Sequence, residues 1–284
     1  MNYIKISGVS LKFLLAIGLL TACNHDEAIT PTSTNGTYIN NNNAKLSPLT
    51  RLTNDNGRSI QYVKSGIFFG KLSRVNQYPW STAYRTYTYD DSNPSELWIT
   101  RKTYKSSDNS ITNECKFKVV NGNCVYSQDN LGQSHEYKYT PQGYLDEIKQ
   151  IYNGQVLQTW KYLYNPTGVG QTYRLNKIER KENGNPYINY HFTYNQIPDK
   201  YPLNNPLNIE NGNVDRYLPF FGKGSDVHIE TITEENVVTN KSVQTFYEDH
   251  IVDSDGLVTS RKMVKYSAFS YETFQYSSTT WQGL

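Results

Sequence analysis

The side chains that could carry chemistry are thinly spread in this chain. Of the five histidines, His25 stands far from the rest, and His135, His191, His228 and His250 include no pair at the spacing of a helical zinc site. Those four read as sheet-surface residues among tyrosines. Gly222-Lys-Gly-Ser225 has neither the earlier glycine of a phosphate loop nor a Ser directly after its Lys, and reads as a tight turn. Asp253-Ser-Asp255-Gly256 lacks a further ligand before its glycine and has Lys262 where a calcium loop needs a glutamate, so it reads as a hairpin turn whose Asp side chains accept backbone N–H bonds. There is no Gly-x-Ser-x-Gly elbow, and the adjacent pairs Asp146-Glu147 and Glu234-Glu235 would point to opposite faces of a strand. These residues nominate no catalytic group, no metal and no cofactor, and the expectation is a non-catalytic chain.

The cysteines say more. Lys5 and Lys12 precede the apolar run Phe13 to Leu20, which is too short for a bilayer core of about 30 Å, and Leu20-Thr21-Ala22-Cys23 follows. That ending matches the lipobox of bacterial lipoprotein signal peptides. It predicts a signal peptide over 1–22 and acylation of the Cys23 sulfur, as with palmitate, so that the membrane is a partner through lipid and not through a spanning segment. Residues 23–50 are rich in Asn, Thr and Ser and predict a flexible tether, whose ~25 residues would reach roughly 30 Å. Cys115 and Cys124 are candidates for a disulfide in an exported compartment. If Asn121-Gly122 forms a two-residue hairpin loop, however, Cys124 faces Val119, and Cys115 lies about 13 Å further along the strand. A bridge then needs a different register, because disulfides rarely join Cα atoms more than about 7 Å apart.

The elements that must position these residues are strands. Tyr occurs 25 times in 284 residues, Met twice, and long helical periodicities are missing. Tyr137-Lys-Tyr139, the turn Thr140-Pro-Gln-Gly143 and Tyr144-Leu-Asp-Glu-Ile148 form a unit of two aromatics, a turn and an alternating strand. Similar units start at Tyr162-Leu-Tyr164, at Tyr87-Thr-Tyr89 and, near the end, at His250-Ile-Val252. Their spacing of roughly 20 to 30 residues predicts an antiparallel meander. About twelve to fourteen strands exceed what an open twisted sheet holds, so the fold class is all-β, a strongly curved sheet or barrel-like domain over residues 51–284. The stretch from Gln196 to Asp226, with four prolines and the apolar Tyr217-Leu-Pro-Phe-Phe221, breaks the rhythm and is expected to dock on the sheet.

The lipobox, the repeated turn units, "YLPFFGKGSD" and "DSDGLVTSRK" together resemble an uncharacterised Bacteroidetes-type lipoprotein family described as a domain of unknown function with a porin-like fold. The turn units are also similar to tyrosine-aspartate repeats of secreted surface proteins. The resemblance implies a curved or barrel-like antiparallel sheet and brings no catalytic residues with it. Asp26 and Glu27, close behind Cys23, resemble the surface-export signal of such lipoproteins, which implies an outer-membrane location and leaves two faces open, display on the cell exterior or retention on the periplasmic side.

The chain has 28 basic and 26 acidic residues and no basic block, which argues against nucleic acid as a partner. The reading is a cell-envelope lipoprotein acting as a soluble, non-catalytic structural or binding module, with a polysaccharide or another envelope protein as partner. One alternative is surface glycan binding, with Trp80, Trp98, Trp160, Tyr217, Phe220 and Phe221 as the aromatic candidates. A second is an envelope hydrolase whose acids are distant in the chain.

Overall fold

Asn-Gly pairs between alternating runs are the local cause of this architecture. Asn56-Gly57, Asn121-Gly122, Asn153-Gly154 and Asn183-Gly184 all take positive φ at both residues, the turn geometry whose twist matches that of paired strands. The structure, a computed structural model, describes residues 51–76, 82–167, 172–200 and 213–277. The expected signal peptide, Cys23, the tether and Trp80 lie outside the described residues.

Among the described residues sixteen strands follow one another, two more than the upper sequence expectation. They are β1 (Arg51–Asp55), β2 (Arg58–Tyr62), β3 (Leu72–Asn76), β4 (Ala83–Asp90), β5 (Leu97–Lys105), β6 (Ile111–Val120), β7 (Asn123–Asp129) and β8 (Ser134–Tyr139). The second half comprises β9 (Leu145–Tyr152), β10 (Gln155–Pro166), β11 (Tyr173–Glu182), β12 (Asn185–Pro198), β13 (Val227–Asn236), β14 (Lys241–Val252), β15 (Val258–Lys265) and β16 (Ala268–Ser277). Each strand pairs antiparallel with its sequence neighbours, and β1 pairs with β16 from Arg51↔Ser277 to Asp55↔Phe274, which closes a barrel.

The two faces of the wall differ in polarity. In β6, Cys115, Phe117 and Val119 are buried while the intervening Lys116 and Lys118 face away. The same alternation turns Ile99, Tyr137, Ile148, Trp160, Tyr162 and Tyr190 inward, into one continuous core. The outer face carries cross-strand ion pairs, among them Lys102–Glu114 at 3.4 Å, Lys138–Glu147 at 3.2 Å and Lys161–Asp146 at 2.7 Å.

The tyrosine repeat has a structural reason. Near the end of six even-numbered strands an inward residue is followed two positions later by a tyrosine: Ile60 and Tyr62, Tyr87 and Tyr89, Tyr137 and Tyr139, Tyr162 and Tyr164, Phe192 and Tyr194, Phe274 and Tyr276. The first of each pair is buried. The hydroxyl of the second donates to a carbonyl near the start of the preceding strand: Leu52, Leu72, Cys124, Leu145, Leu175 and Val258 respectively, at 2.7 to 3.0 Å. Each such bond contributes about 0.5–1.5 kcal/mol and fixes the ring at the rim of the core. The unit expected at His250 departs from this pattern. Asp249 takes positive φ and the β14–β15 register shifts there, leaving Ile251 and Val252 exposed.

The described end of the long connection, residues 213–226, docks into the barrel and not across it. Leu218 and Phe221 join the core, and Phe221 packs edge-on against Phe117 and Tyr137 with ring centroids at 6.0 and 5.3 Å. The strap of residues 213–226 is pinned at its exit. The carbonyl of Phe220 accepts from the Cys124 N–H at 2.7 Å and the Tyr139 hydroxyl at 3.1 Å, and Lys223 N–H donates to Gly143 O. Gly222 allows this approach, because a Cβ there would sit 2.8 Å from the Leu145 nitrogen at φ +89°. Gly222→Ala is therefore expected to destabilise the barrel by about 1–3 kcal/mol in a urea melt. Gly154→Ala, where φ is also positive but a Cβ meets nothing within 4 Å, should lose distinctly less. Equal losses would show that close approach of the strap to the wall at Leu145 is not what Gly222 serves.

Candidate functional site

The strap brings a group of polar residues against the inner wall. Asp215 is fully buried, accepts from the Tyr87 hydroxyl at 2.8 Å, and pairs with the Arg101 guanidinium at 3.2 Å. Burial alone would push its carboxyl up. Arg101 and Arg85, the Tyr87 hydroxyl and the Tyr217 N–H outweigh that and hold it below the usual carboxylate range. Asn213 accepts from Arg101 at 2.6 Å and donates to Cys115 Sγ at 2.7 Å and to Ser127 Oγ at 3.3 Å. Deeper along the strap, the Tyr217 hydroxyl donates to the buried Asp55 at 2.5 Å, and Arg58 and Arg216 approach the same carboxylate at 3.4 and 3.5 Å.

Beside these pairs lies a pocket of about 260 Å³ lined by Arg58, Val75, Arg85, Val214, Asp215, Arg216 and Tyr217. Strands β2 and β4 of the wall give it two guanidiniums, Arg58 and Arg85, and β3 gives the apolar Val75; the third guanidinium, Arg216, comes from the strap. The strap supplies the rest. Sequence reading missed this site because its partners are up to 162 residues apart and are joined only by closure and docking. The one available signal was Asp215-Arg216 sitting next to an apolar run inside a loop expected to dock.

The aromatic candidates are not brought together. Trp160 and Phe221 are core residues, out of reach of a sugar ring. Trp98 lies on the outer face with its indole N–H on Glu96 and Lys118 over its ring, Phe220 sits under Lys71, and only Tyr217 reaches the pocket. Both thiols are free and buried in this structure. Cys124 lies opposite Val119, as the hairpin loop requires, and a register shift between Lys118 and Val119 sets Cys115 opposite Asp129. Burial pushes both thiols up, against the formation of a thiolate.

The histidine reading needs correction. His191 is exposed beside Glu235, but His135 and His228 are buried and His250 is half-buried. Pairing of β13 with β14 brings His228 beside His250, the rings tilted at 50° with centroids 5.7 Å apart, and Asp199 lies 3.7 Å from His228. Among the described residues no group of three or more His, Cys, Asp or Glu is placed to hold a metal ion. Asp253 forms the expected turn, accepting the N–H bonds of Asp255 and Leu257 at 2.9 Å. The Gly222–Ser225 segment is the exit of the strap.

Comparisons with known proteins give the following. No protein-family model and no curated protein matches the chain. Among solved structures it is similar to a porin-like protein from Bacteroides uniformis at 15% identity and TM-score 0.37, over 69% of this chain and 96% of that one. It is also similar to a porin-like protein from Bacteroides vulgatus at 13% identity and TM-score 0.45, over 78% and 92%.

Burial lowers both His135 and His228 to about 4, with Arg101 adding to the effect at His135, and His250 and Arg261 at His228. Asp129 opposes the shift at His135. Between that value and the ordinary 6.5 the unfolded chain binds more protons than the folded one, so stability falls as pH is lowered through this window. The unfolding free energy from urea melts, and with it the midpoint, is expected to be lower at about pH 5 than at about pH 7.5, the free energy falling by up to roughly 1.4 kcal/mol per pH unit for each histidine. His228→Gln should flatten that dependence, and a midpoint constant over the range would contradict the buried neutral state.

Proposed function

We propose that the chain is a cell-envelope lipoprotein, held to the outer membrane by acyl chains on Cys23, whose barrel stands clear of the bilayer as a non-catalytic binding module. The observation that carries this reading is the polarity of the wall. A barrel that meets lipid turns an apolar band about 25 Å tall outward and keeps its lumen polar. This one does the reverse, with an apolar core inside and Lys102–Glu114, Lys138–Glu147 and Lys161–Asp146 outside. A Lys at the bilayer midplane costs about 2–4 kcal/mol, and a ring of outward lysines multiplies that. Lipid on a cysteine gives attachment without this cost.

The non-catalytic part of the reading is supported by how the reactive groups are held. Cys115 and Cys124 are buried with raised pKa values, and Asp215 is closed in by Arg101 and Tyr87. None of these presents a nucleophile or a base to an entering substrate. In fractionated cells, Cys23→Ala is expected to move the protein from the membrane to the soluble fraction. Its persistence in the membrane after an alkaline wash would overturn the tethered reading.

A glycan-binding role is favoured by a different observation. Phe246, Phe269 and Tyr271 stand on the outer face of β14 to β16 in adjoining cross-strand positions, and are 37%, 65% and 57% exposed. Flat aromatic side chains open to solvent on a sheet can stack on sugar rings. Retardation in gels containing one of a panel of polysaccharides, lost in Tyr271→Ala, is the expected result. Equal mobility on every polysaccharide would remove this role.

A further inference from the structure

The barrel interior holds more positive than negative charge at the strap. Around the pocket stand Arg58, Arg85, Arg101 and Arg216, with Asp55 and Asp215 as the buried carboxylates. Asp215 is taken by Arg101, and Asp55 is shared by Arg58 and Arg216 at distances at the long end of an ion pair. Arg85 makes no hydrogen bond or ion pair to the described residues, and its Nε is buried without a partner. A guanidinium is always charged and presents donors in a planar fork that matches an oxyanion. Leaving one unpaired beside two others, against Val75 and Val214, is unfavourable unless an anion completes the set.

We propose that Arg58, Arg85 and Arg216 form a binding site for the anionic group, carboxylate or phosphate, of a small polar molecule. Arg85 would hold the anion through the donors it does not use within the protein, and Arg58 and Arg216 would turn part of their long contacts with Asp55 toward it. The pocket volume of about 260 Å³ falls just below the usual range for ligand sites of about 300–1,000 Å³, which limits the guest to a small molecule. The Tyr217 ring and the two valines would cover the guest's less polar face. This rests on the binding-module reading and gives it a ligand class.

The test uses detergent-extracted full-length protein, so that its outcome does not depend on how the chain is attached. Calorimetric titration with inorganic phosphate and with glucuronate, at matched ionic strength, is expected to show saturable binding of at least one of them. Phosphate alone would identify a phosphate group as the ligand feature, and glucuronate alone a carboxylate on a sugar. Arg85→Met should weaken that binding about tenfold, as loss of one charge-assisted contact implies, while Arg85→Lys restores part of it. Should Arg85→Met fail to melt cooperatively, Arg216→Gln, at a half-exposed position, gives the same comparison. No saturable binding of either anion, or binding unchanged in both Arg85→Met and Arg216→Gln, overturns the proposal.

Discussion

Closing sixteen strands into one barrel creates an interior that ordinary side chains cannot fill. About eight strands leave just enough room for side chains to meet, and at sixteen the usual outcome is an aqueous channel. This chain fills the space instead. Trp160, Tyr162, Tyr190 and Phe117 are among the largest fully buried side chains, and Leu218 and Phe221 enter from the strap. The abundance of tyrosine and the long interruption between β12 and β13 answer the same geometric demand. Without the strap, Phe117 and Tyr137 would lose the Phe221 ring that packs edge-on against both.

Filling a core with tyrosine raises a second demand, because each buried hydroxyl must find a partner. The solution is regular. Six hydroxyls reach back to carbonyls at the starts of the preceding strands, so each ring that fills the interior also ties two strands together at one end. β6 lacks the tyrosine, with Val119 in its place. There the Phe220 carbonyl of the strap comes in and takes the N–H of Cys124 and the hydroxyl of Tyr139. The strap thus enters the hydrogen-bond pattern at a position where the repeat leaves room for it.

Much of this was legible in the sequence because its causes are local. Alternation identified the strands, Asn-Gly and Thr-Pro-Gln-Gly identified turns, and Asn121-Gly122 fixed Cys124 opposite Val119. The units at Phe192 and Phe274 were missed because phenylalanine replaces the first tyrosine, although burial treats the two alike. The unit at His250 was misread because a residue in the left-handed region, Asp249, shifts the register. His135 and His228 were placed on the surface since a two-residue period does not say which face is inward. The candidate site was illegible for a stronger reason. Arg101 meets Asp215 and Asp55 meets Tyr217 only after the barrel has closed and the strap has entered it.

That dependence links packing to binding. A buried ion pair such as Arg101–Asp215 adds little net stability compared with apolar residues of the same size, but it penalises any strap position that leaves either charge alone. Tyr87 and Asn213 extend the same restriction to the neighbouring strands. The aromatic half of the strap therefore supplies the favourable burial, and its polar half selects one depth and one orientation. Because Val214, Asp215, Arg216 and Tyr217 belong to that polar half, the residues that register the strap are also those that line the pocket. An anion held between Arg216 on the strap and Arg85 on the wall would add to the forces that keep the strap in place, so occupancy of the pocket and stability of the barrel should rise together.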